Sequence, residues 1–129
     1  MNTFMNAFTS SDWTAYPFAS QNQKDFDNLL SVYLDSVFFP NLNELDFAQE
    51  GHRLEFSELH NRKSELVNKG IVFNEMKGAM SSVNSILWQT ITKNLFSNTT
   101  YHFNSGGEPE EIVKLTYKHF KDFHETHYH

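Results

Sequence analysis

Glu75 is the residue whose type and position could support chemistry. It lies in the segment GIVFNEMKG, residues 70–78. If residues 71–86 continue as one helix, a step of about 100° per residue places apolar side chains on both sides of Glu75. Desolvating a carboxylate is costly unless a cation, a metal or convergent donors compensate it. Glu75 is therefore a candidate metal ligand or member of a buried ion pair. The alternative is an acid at the edge of the apolar stripe with its carboxylate in water.

The C-terminal sequence HETHYH, residues 124–129, also contains groups that bind metals. It is one residue short of the H-E-x-x-H pattern, because His124 and His127 are spaced i, i+3. Glu125 and His129, spaced i, i+4, could form at most an adventitious surface site. We therefore expect His124 and His127 to shield the apolar side of the last helix.

Composition excludes several other kinds of chemistry. The chain has no cysteine, which excludes a disulfide scaffold, a Cys nucleophile and a Cys-based zinc site. Its net charge of −6 argues against a nucleic-acid or anionic-membrane partner. No apolar run approaches the ~20 residues that span a bilayer. The start of the chain lacks the basic residues and apolar core of a signal peptide. This absence does not fix the compartment of a longer parent protein, for which soluble, intracellular and organellar locations stay open.

The elements that must position Glu75 indicate an α+β fold. Residues 3–9 and 14–19 are rich in aromatic residues and Thr and flank the polar SSD at 10–12, which predicts an N-terminal β-hairpin. His52–Phe56 is predicted as a third strand. Residues 57–69 are polar and predicted to form a loop.

Helices are predicted to pack with these strands. Phe26, Leu29, Leu30, Tyr33 and Val37 recur at helical spacing, with Asn22 as the cap and Pro40 as the stop. Four further helical features are expected: a turn at 44–49, a helix from about residue 71 that bends or breaks at Ser81-Ser82, a helix with Pro109 in its first turn, and a last helix capped by Thr116.

Several segments also follow the order of one known family. They are NTFMNAFTS at 2–10, YPFAS at 16–20, VYLD at 32–35, FFP at 38–40 and the stretch at 70–79. With these segments the chain resembles the pitrilysin/insulinase family of zinc peptidases, most closely the presequence-protease branch. Members of that branch show GVVFNEMKG where this chain has residues 70–78, and SGGDP where it has residues 105–109.

The resemblance places Glu75 on the family's third zinc ligand. The other two ligands and the general base come from an H-x-x-E-H helix, in which the Glu activates the zinc-bound water. This chain has no H-x-x-E-H. We therefore expect residues 1–129 to be a single partial domain of a pitrilysin-type metallohydrolase that begins just after the motif. It would contain no catalytic residue and would not bind zinc tightly alone.

A second implication of the resemblance concerns substrate binding. Family members add extended peptides to a sheet edge beside the zinc, and the matching strand here is Asn6, Ala7, Phe8 and Thr9. An edge strand pairs with any extended peptide through its main chain, and the small Ala7 leaves room for close approach. The alternative is an ordinary hairpin strand.

Three functions therefore remain open. The chain could be part of a zinc endopeptidase that degrades unstructured peptides, a non-catalytic peptide-binding module, or a purely structural piece of a larger peptidase. Its expected partners are extended peptides and the remainder of the parent peptidase. Because an aromatic strand with an unpaired edge tends to pair with the same strand of another molecule, we also expect the isolated chain to self-associate.

Overall fold

The N-terminal hairpin is present in the structure, a computed structural model that describes residues 4–129. Its four short strands are β1 (Phe4–Met5), β2 (Phe8–Thr9), β3 (Thr14–Ala15) and β4 (Phe18–Ala19). Strand β1 pairs with β4 and β2 pairs with β3, both antiparallel. The predicted hairpin is confirmed over these residues, whereas residue 3 lies outside the described part of the chain.

The two pairs of strands share one register interrupted at Pro17. Phe4 is opposite Ala19 and Phe8 is opposite Ala15, so no residue is inserted between the pairs. Between them, the Asn6 N–H donates to the Pro17 carbonyl at 3.1 Å. Proline has no N–H with which to return that bond, so the ladder is incomplete at this point.

Helix α1 (Gln23–Phe38) begins and ends where its sequence predicts. The Asn22 side chain accepts a hydrogen bond from the Asp25 N–H at 3.0 Å, which satisfies one free donor of the first turn. Helix α1 packs against the hairpin through the Phe18 ring, whose centroid lies 5.0 Å from that of Phe26 and 4.9 Å from that of Tyr33. This contact holds the hairpin on the helix.

A second hairpin follows helix α2 (Glu44–Glu50). Its strands are β5 (Arg53–Phe56) and β6 (Leu66–Lys69), paired antiparallel. The predicted third strand is confirmed, but the prediction of a loop throughout 57–69 is wrong at its C-terminal end. Strand β6, with the sequence LVNK, forms because the main chain of β5 supplies a pairing partner, which the polar character of 57–69 as a whole does not reveal.

The predicted break at Ser81-Ser82 is confirmed. Helix α3 (Ile71–Ala79) ends there and helix α4 (Val83–Leu95) begins. The Ser81 hydroxyl donates to the Gly78 carbonyl at 2.6 Å, a local bond that competes with continuation of the helix. Residues 71–86 are therefore not one helix, and the apolar stripe deduced for them ends with α3.

The remaining elements are short. A 3-10 turn (Thr100–His102) leads to α5 (Pro109–Ile112), and the last helix is α6 (Tyr117–His127). Pro109 occupies the first turn of α5, as predicted. Thr116 and His119 form a reciprocal capping box at the start of α6, so the predicted cap is confirmed.

The apolar core is small for a chain of this size. Phe73 and Ile112 are the only buried apolar side chains within residues 4–129. The accessible surface is 9976 Å², whereas a folded monomer of 15.1 kDa exposes about 7,100 Å². The fold is thus mixed α and β, as predicted, and leaves much apolar surface in contact with solvent. Its assignment as a partial pitrilysin-type domain stays a prediction.

Candidate functional site

An open groove of about 980 Å³ is lined by the N-terminal hairpin and by α3 and α4. Ala7, Phe8 and Thr9 come from the hairpin, Glu75 and Met76 from α3. Because the two predicted functional segments meet in one groove, it is the candidate functional site. Its other lining residues are Val72, Ala79, Met80, Asn84, Ser85, Trp88, Gln89, Asn104, Ser105 and Gly106.

Asn6, the fourth predicted substrate-binding residue, lines a different pocket. That pocket has a volume of about 600 Å³ and lies against α1 and α6. The Asn6 side chain instead affects the edge strand itself, since its Oδ1 accepts a hydrogen bond from the Ala7 N–H at 2.8 Å. One main-chain donor of the strand is thus already occupied by a side chain.

The hairpin register determines which main-chain groups face outward. The N–H groups of Asn6 and Ser10 donate across the hairpin, to Pro17 at 3.1 Å and to Trp13 at 2.8 Å. Main-chain groups alternate in direction along an antiparallel strand. The N–H and C=O of Ala7 and Thr9 therefore point away from the partner strand, as β-augmentation requires. With the Ala7 N–H bonded to Asn6, the Thr9 N–H is the donor left for an added strand.

Glu75 is exposed to solvent. No hydrogen bond or ion pair involves its carboxylate within residues 4–129. The expectation of a buried ion pair is therefore wrong for the described residues, and the alternative of an acid with its carboxylate in water fits. The reason is that the face of α3 that carries Glu75, together with Val72 and Ala79, lines the open groove, so no packed element removes water from the carboxylate.

The described residues do not assemble a zinc site. In residues 4–129 no three His, Cys, Asp or Glu side chains come close enough together to hold a metal ion. Catalytic zinc uses three protein ligands plus water, whereas among residues 4–129 Glu75 is the only titratable residue that lines the groove. The chemistry of this donor set does not fit zinc without ligands from elsewhere, and the metal role of Glu75 stays a prediction.

A glycine-containing turn at residues 104–107 contributes Asn104, Ser105 and Gly106 to the lining of the groove. The Asn104 Oδ1 accepts a hydrogen bond from the Gly106 N–H at 3.2 Å, and its Nδ2 donates to the Gly107 carbonyl at 3.3 Å. Gly107 has a φ of +91°, a conformation that favours glycine. The turn thereby presents Gly106 to the thioether of Met76.

The C-terminal histidines are packing residues, as expected. The His124 Nε2 donates to the Val37 carbonyl at 2.7 Å, which links α6 to α1. The His127 ring stacks on Phe123 with centroids 4.2 Å apart. Neither residue lines the groove that contains Glu75.

Charges elsewhere form local pairs. Hydrogen bonds from Lys69, across the β5–β6 hairpin, and from Arg53, on the same strand, lower the pKa of the Glu55 carboxyl. Asp12 raises the pKa of Tyr101, whose hydroxyl donates a hydrogen bond to the Asp12 carboxylate with an oxygen–oxygen distance of 2.8 Å. The hydrogen bond between Tyr101 and Asp12 links the hairpin turn to the segment after α4.

Comparison with known proteins identifies relatives over the whole chain. The mitochondrial presequence protease of Xenopus laevis is 57% identical over 129 residues, 100% of this chain and 13% of the relative. The mouse protein of that name is 54% identical over 129 residues, covering 100% and 12%. The Schizosaccharomyces pombe protein is 49% identical over 127 residues, covering 98% and 13%.

The chain is homologous to a segment of the presequence proteases. The predicted resemblance to the pitrilysin/insulinase peptidases is thereby confirmed, although the chain spans only 12–13% of the length of these relatives. No protein-family model matches the chain. Within the described residues no helix is both long and apolar enough to cross a membrane.

Proposed function

We propose that residues 1–129 are the part of a presequence-protease-like zinc endopeptidase that borders the bound peptide and supplies one acidic metal ligand. The observation that supports this most is the groove shared by Glu75 and the Ala7–Thr9 strand. The two segments are more than sixty residues apart in the sequence, and the resemblance assigns them to the metal and to the substrate respectively. The substrates would be unstructured peptides.

The peptide would bind by adding to the outer edge of the strand. Its carbonyl would accept from the Thr9 N–H, and its N–H groups would donate to the outward carbonyls of Ala7 and Thr9. Main-chain pairing gives affinity with little dependence on peptide sequence. Ala7 leaves space for this approach, since its side chain ends at Cβ.

Glu75 would contribute one anionic oxygen to a zinc ion, which supplies Lewis acidity when bound. The resemblance assigns the remaining ligands and the general base to an H-x-x-E-H segment, which is not among residues 1–129. The chain by itself would therefore bind extended peptides without hydrolysing them.

The first test is hydrolysis. Purified 1–129 is incubated with an unstructured fluorogenic peptide, with added zinc and with a chelator. We expect no cleavage in either condition. Zinc-dependent cleavage that the chelator abolishes, and that persists after removal of contaminating proteases, would contradict the proposal.

The second test is the mode of binding. Two nine-residue peptides of one sequence each carry four N-methyl groups, one on the alternate residues 2, 4, 6 and 8 and one on the consecutive residues 4, 5, 6 and 7. An added strand uses only every second N–H in its ladder, so the first peptide keeps one complete edge of N–H groups and we expect it to bind like the parent peptide. The second peptide has neither edge complete and should lose binding. Equal binding of both methylated peptides would rule out edge pairing.

A non-catalytic role is the alternative function. The thin core and the accessible surface of 9976 Å² favour a piece that packs against other polypeptide. If no extended peptide binds to the purified chain, the structural alternative is supported and the peptide-binding role fails.

A further inference from the structure

The turn of the N-terminal hairpin is linked to the segment after α4 by a single hydrogen bond. The Tyr101 hydroxyl donates to the Oδ2 atom of Asp12 at 2.8 Å. Within residues 4–129 this is the only hydrogen bond that joins residues 6–15 to an element outside the hairpin. The turn between β2 and β3 thus has one polar attachment to the rest of the described fold.

The opposite end of the hairpin is held independently of the turn. The Phe18 ring packs on α1, and the hydroxyl of Tyr16 is hydrogen-bonded to that of Tyr128. These contacts fix the end that contains β1 and β4, while the ladder to β2 and β3 is incomplete at Pro17. Loss of the contact at the turn would therefore free the β2 edge without detaching the hairpin.

Each partner of the hydrogen bond lies close in sequence to the lining of the groove. Asp12 follows Thr9 by three positions, and the Thr9 N–H is the donor left for an added strand. Tyr101 precedes Asn104 by three positions, and Asn104 belongs to the turn that lines the groove together with Glu75. The bond thereby joins the binding edge to a second, separate part of the groove lining.

Tyr101 is itself fixed against α4. Its ring meets the Phe96 ring edge-on with centroids 5.9 Å apart, and the next residue, His102, donates from Nδ1 to the Lys93 carbonyl at 3.1 Å. A cleft of about 490 Å³ is lined both by the hairpin turn and by this segment. Because open space lies beside the hydrogen bond, the bond joins a free turn to an anchored segment.

We propose that the hydrogen bond between Asp12 and Tyr101 is a latch that holds the β2 edge in position for an added peptide strand. Both are positioning residues, which act through Thr9 and touch no substrate themselves. The inference rests on the proposed peptide-binding function and adds the contact that fixes the binding edge. Because both residues are exposed, water competes for the bond and its loss should cost little stability. Its loss would instead lower the fraction of molecules whose edge is in place.

Amide hydrogen exchange of the free chain tests the latch without a ligand. The Ser10 N–H donates to the Trp13 carbonyl beside the turn, and the Asn6 N–H donates to the Pro17 carbonyl at the other end of the strand. Tyr101→Phe removes the hydroxyl and keeps the ring. We expect it to accelerate exchange at Ser10 roughly fivefold and to leave exchange at Asn6 unchanged. Unchanged exchange at Ser10 would refute the latch.

Affinity for the labelled nine-residue parent peptide, measured by fluorescence anisotropy, tests the effect on binding. Tyr101→Phe should weaken binding roughly fivefold, because only a fraction of the molecules would then hold the edge in place. Asp12→Ala should have the same effect, and the double variant should lose no more than either single variant. Asp12→Asn keeps an oxygen that accepts from the Tyr101 hydroxyl, so it should retain most of the affinity.

Tyr117→Phe is the matched control for loss of a hydroxyl. The Tyr117 hydroxyl donates to the Leu42 carbonyl at 2.6 Å, and neither residue lines the groove or the cleft. Its removal deletes a hydrogen bond of the same kind away from the hairpin and should leave the peptide affinity unchanged. Equal losses of affinity in Tyr117→Phe and Tyr101→Phe would indicate a general loss of stability and refute the latch.

The outcomes separate the latch from the proposed function. If the wild-type chain binds the peptide and Tyr101→Phe binds it equally well, the latch is refuted and the peptide-binding function stands. If the wild-type chain binds no peptide, the proposed function fails, and the role of the latch in peptide binding fails with it. Exchange at Ser10 then still decides whether the hydrogen bond holds the β2 edge.

Discussion

The hydroxyl groups of Tyr16 and Tyr128 share a hydrogen bond of 2.9 Å between the N-terminal hairpin and the end of the chain. Burial, together with this bond and the neighbouring charge of Tyr128, raises the pKa of Tyr16 to about 12 from its ordinary value of 10.0. The contact joins residues 112 positions apart. Within residues 4–129 it is one of five hydrogen bonds of side chains that join residues more than 60 positions apart.

We expect this contact to make stability depend on pH in the alkaline range. Because the pKa of Tyr16 is higher in the folded chain, its contribution is complete below pH 10 and is lost as the pH rises towards 12. Tyr16→Phe should reduce this loss and lower the free energy of unfolding near neutrality by about 0.5–1 kcal/mol. Urea unfolding across this pH range measures both effects. Tyr128→Phe should have the same effect, and additive losses in the double variant would show that the two hydroxyls do not interact.

Replacing Gly70 and Gly78 by alanine should change the stability of the chain in opposite directions. A Cβ at Gly70 would overlap the main-chain carbonyl of Gly51, whereas a Cβ at Gly78 would meet no atom within 4 Å. Gly70→Ala should therefore destabilise the chain by roughly 2 kcal/mol or more, because main chain cannot move aside. Gly78→Ala should stabilise it by about 0.5–1 kcal/mol, since Gly78 is inside α3. Equal effects in thermal or urea unfolding would contradict this packing.

Gly106→Ala should weaken peptide binding in the groove more than it lowers the stability of the chain. The added Cβ would overlap the Met76 Sδ, and this flexible side chain can move into the groove at small cost. We expect a stability change below about 1 kcal/mol but weaker binding of extended peptides. Adding Met76→Ala should restore binding, because it removes the displaced atoms. Failure of that rescue would show that the glycine acts on the turn rather than through Met76.

Glu75→Leu should be neutral or slightly stabilising in this chain. The carboxylate is exposed and makes no hydrogen bond or ion pair within residues 4–129, so its removal should change the free energy of unfolding by no more than about 0.5 kcal/mol. Glu75→Gln, which keeps the shape and removes the charge, is the matched control. A clear loss of stability for Glu75→Leu in denaturant would reveal an ion pair.

The isolated chain should self-associate. Its accessible surface of 9976 Å² exceeds the ~7,100 Å² of an ordinary folded monomer. Many of its large apolar side chains are exposed, and within residues 4–129 the outer edge of the N-terminal strand has no partner strand. We expect concentration-dependent mass in light scattering and binding of a hydrophobic dye. A peptide spanning a family H-x-x-E-H helix should compete by covering the same surface. A monomer at high concentration that binds no dye would contradict this expectation.

Local features of the sequence were enough to predict the elements whose signals lie within a few residues. Asn22, Pro109 and Thr116 occupy the helix starts predicted for them, because a cap depends on neighbouring main-chain groups. The hairpin and the break at Ser81-Ser82 were predicted for the same reason. The family resemblance also came from sequence alone, through motifs in the correct order.

Only the tertiary structure decided how distant segments meet. Strand β6 exists because β5 pairs with it, although its own residues predict a loop. Glu75 lines one groove with Ala7 and Thr9, because the tertiary fold brings α3 and the N-terminal hairpin to the same cavity. Its carboxylate is exposed because the face of α3 that carries it lines an open groove instead of packing against another element. Strand pairing, side-chain burial and the meeting of distant segments in one groove all depend on contacts between residues far apart in the sequence. Helical periodicity describes only neighbouring residues and so does not predict these contacts.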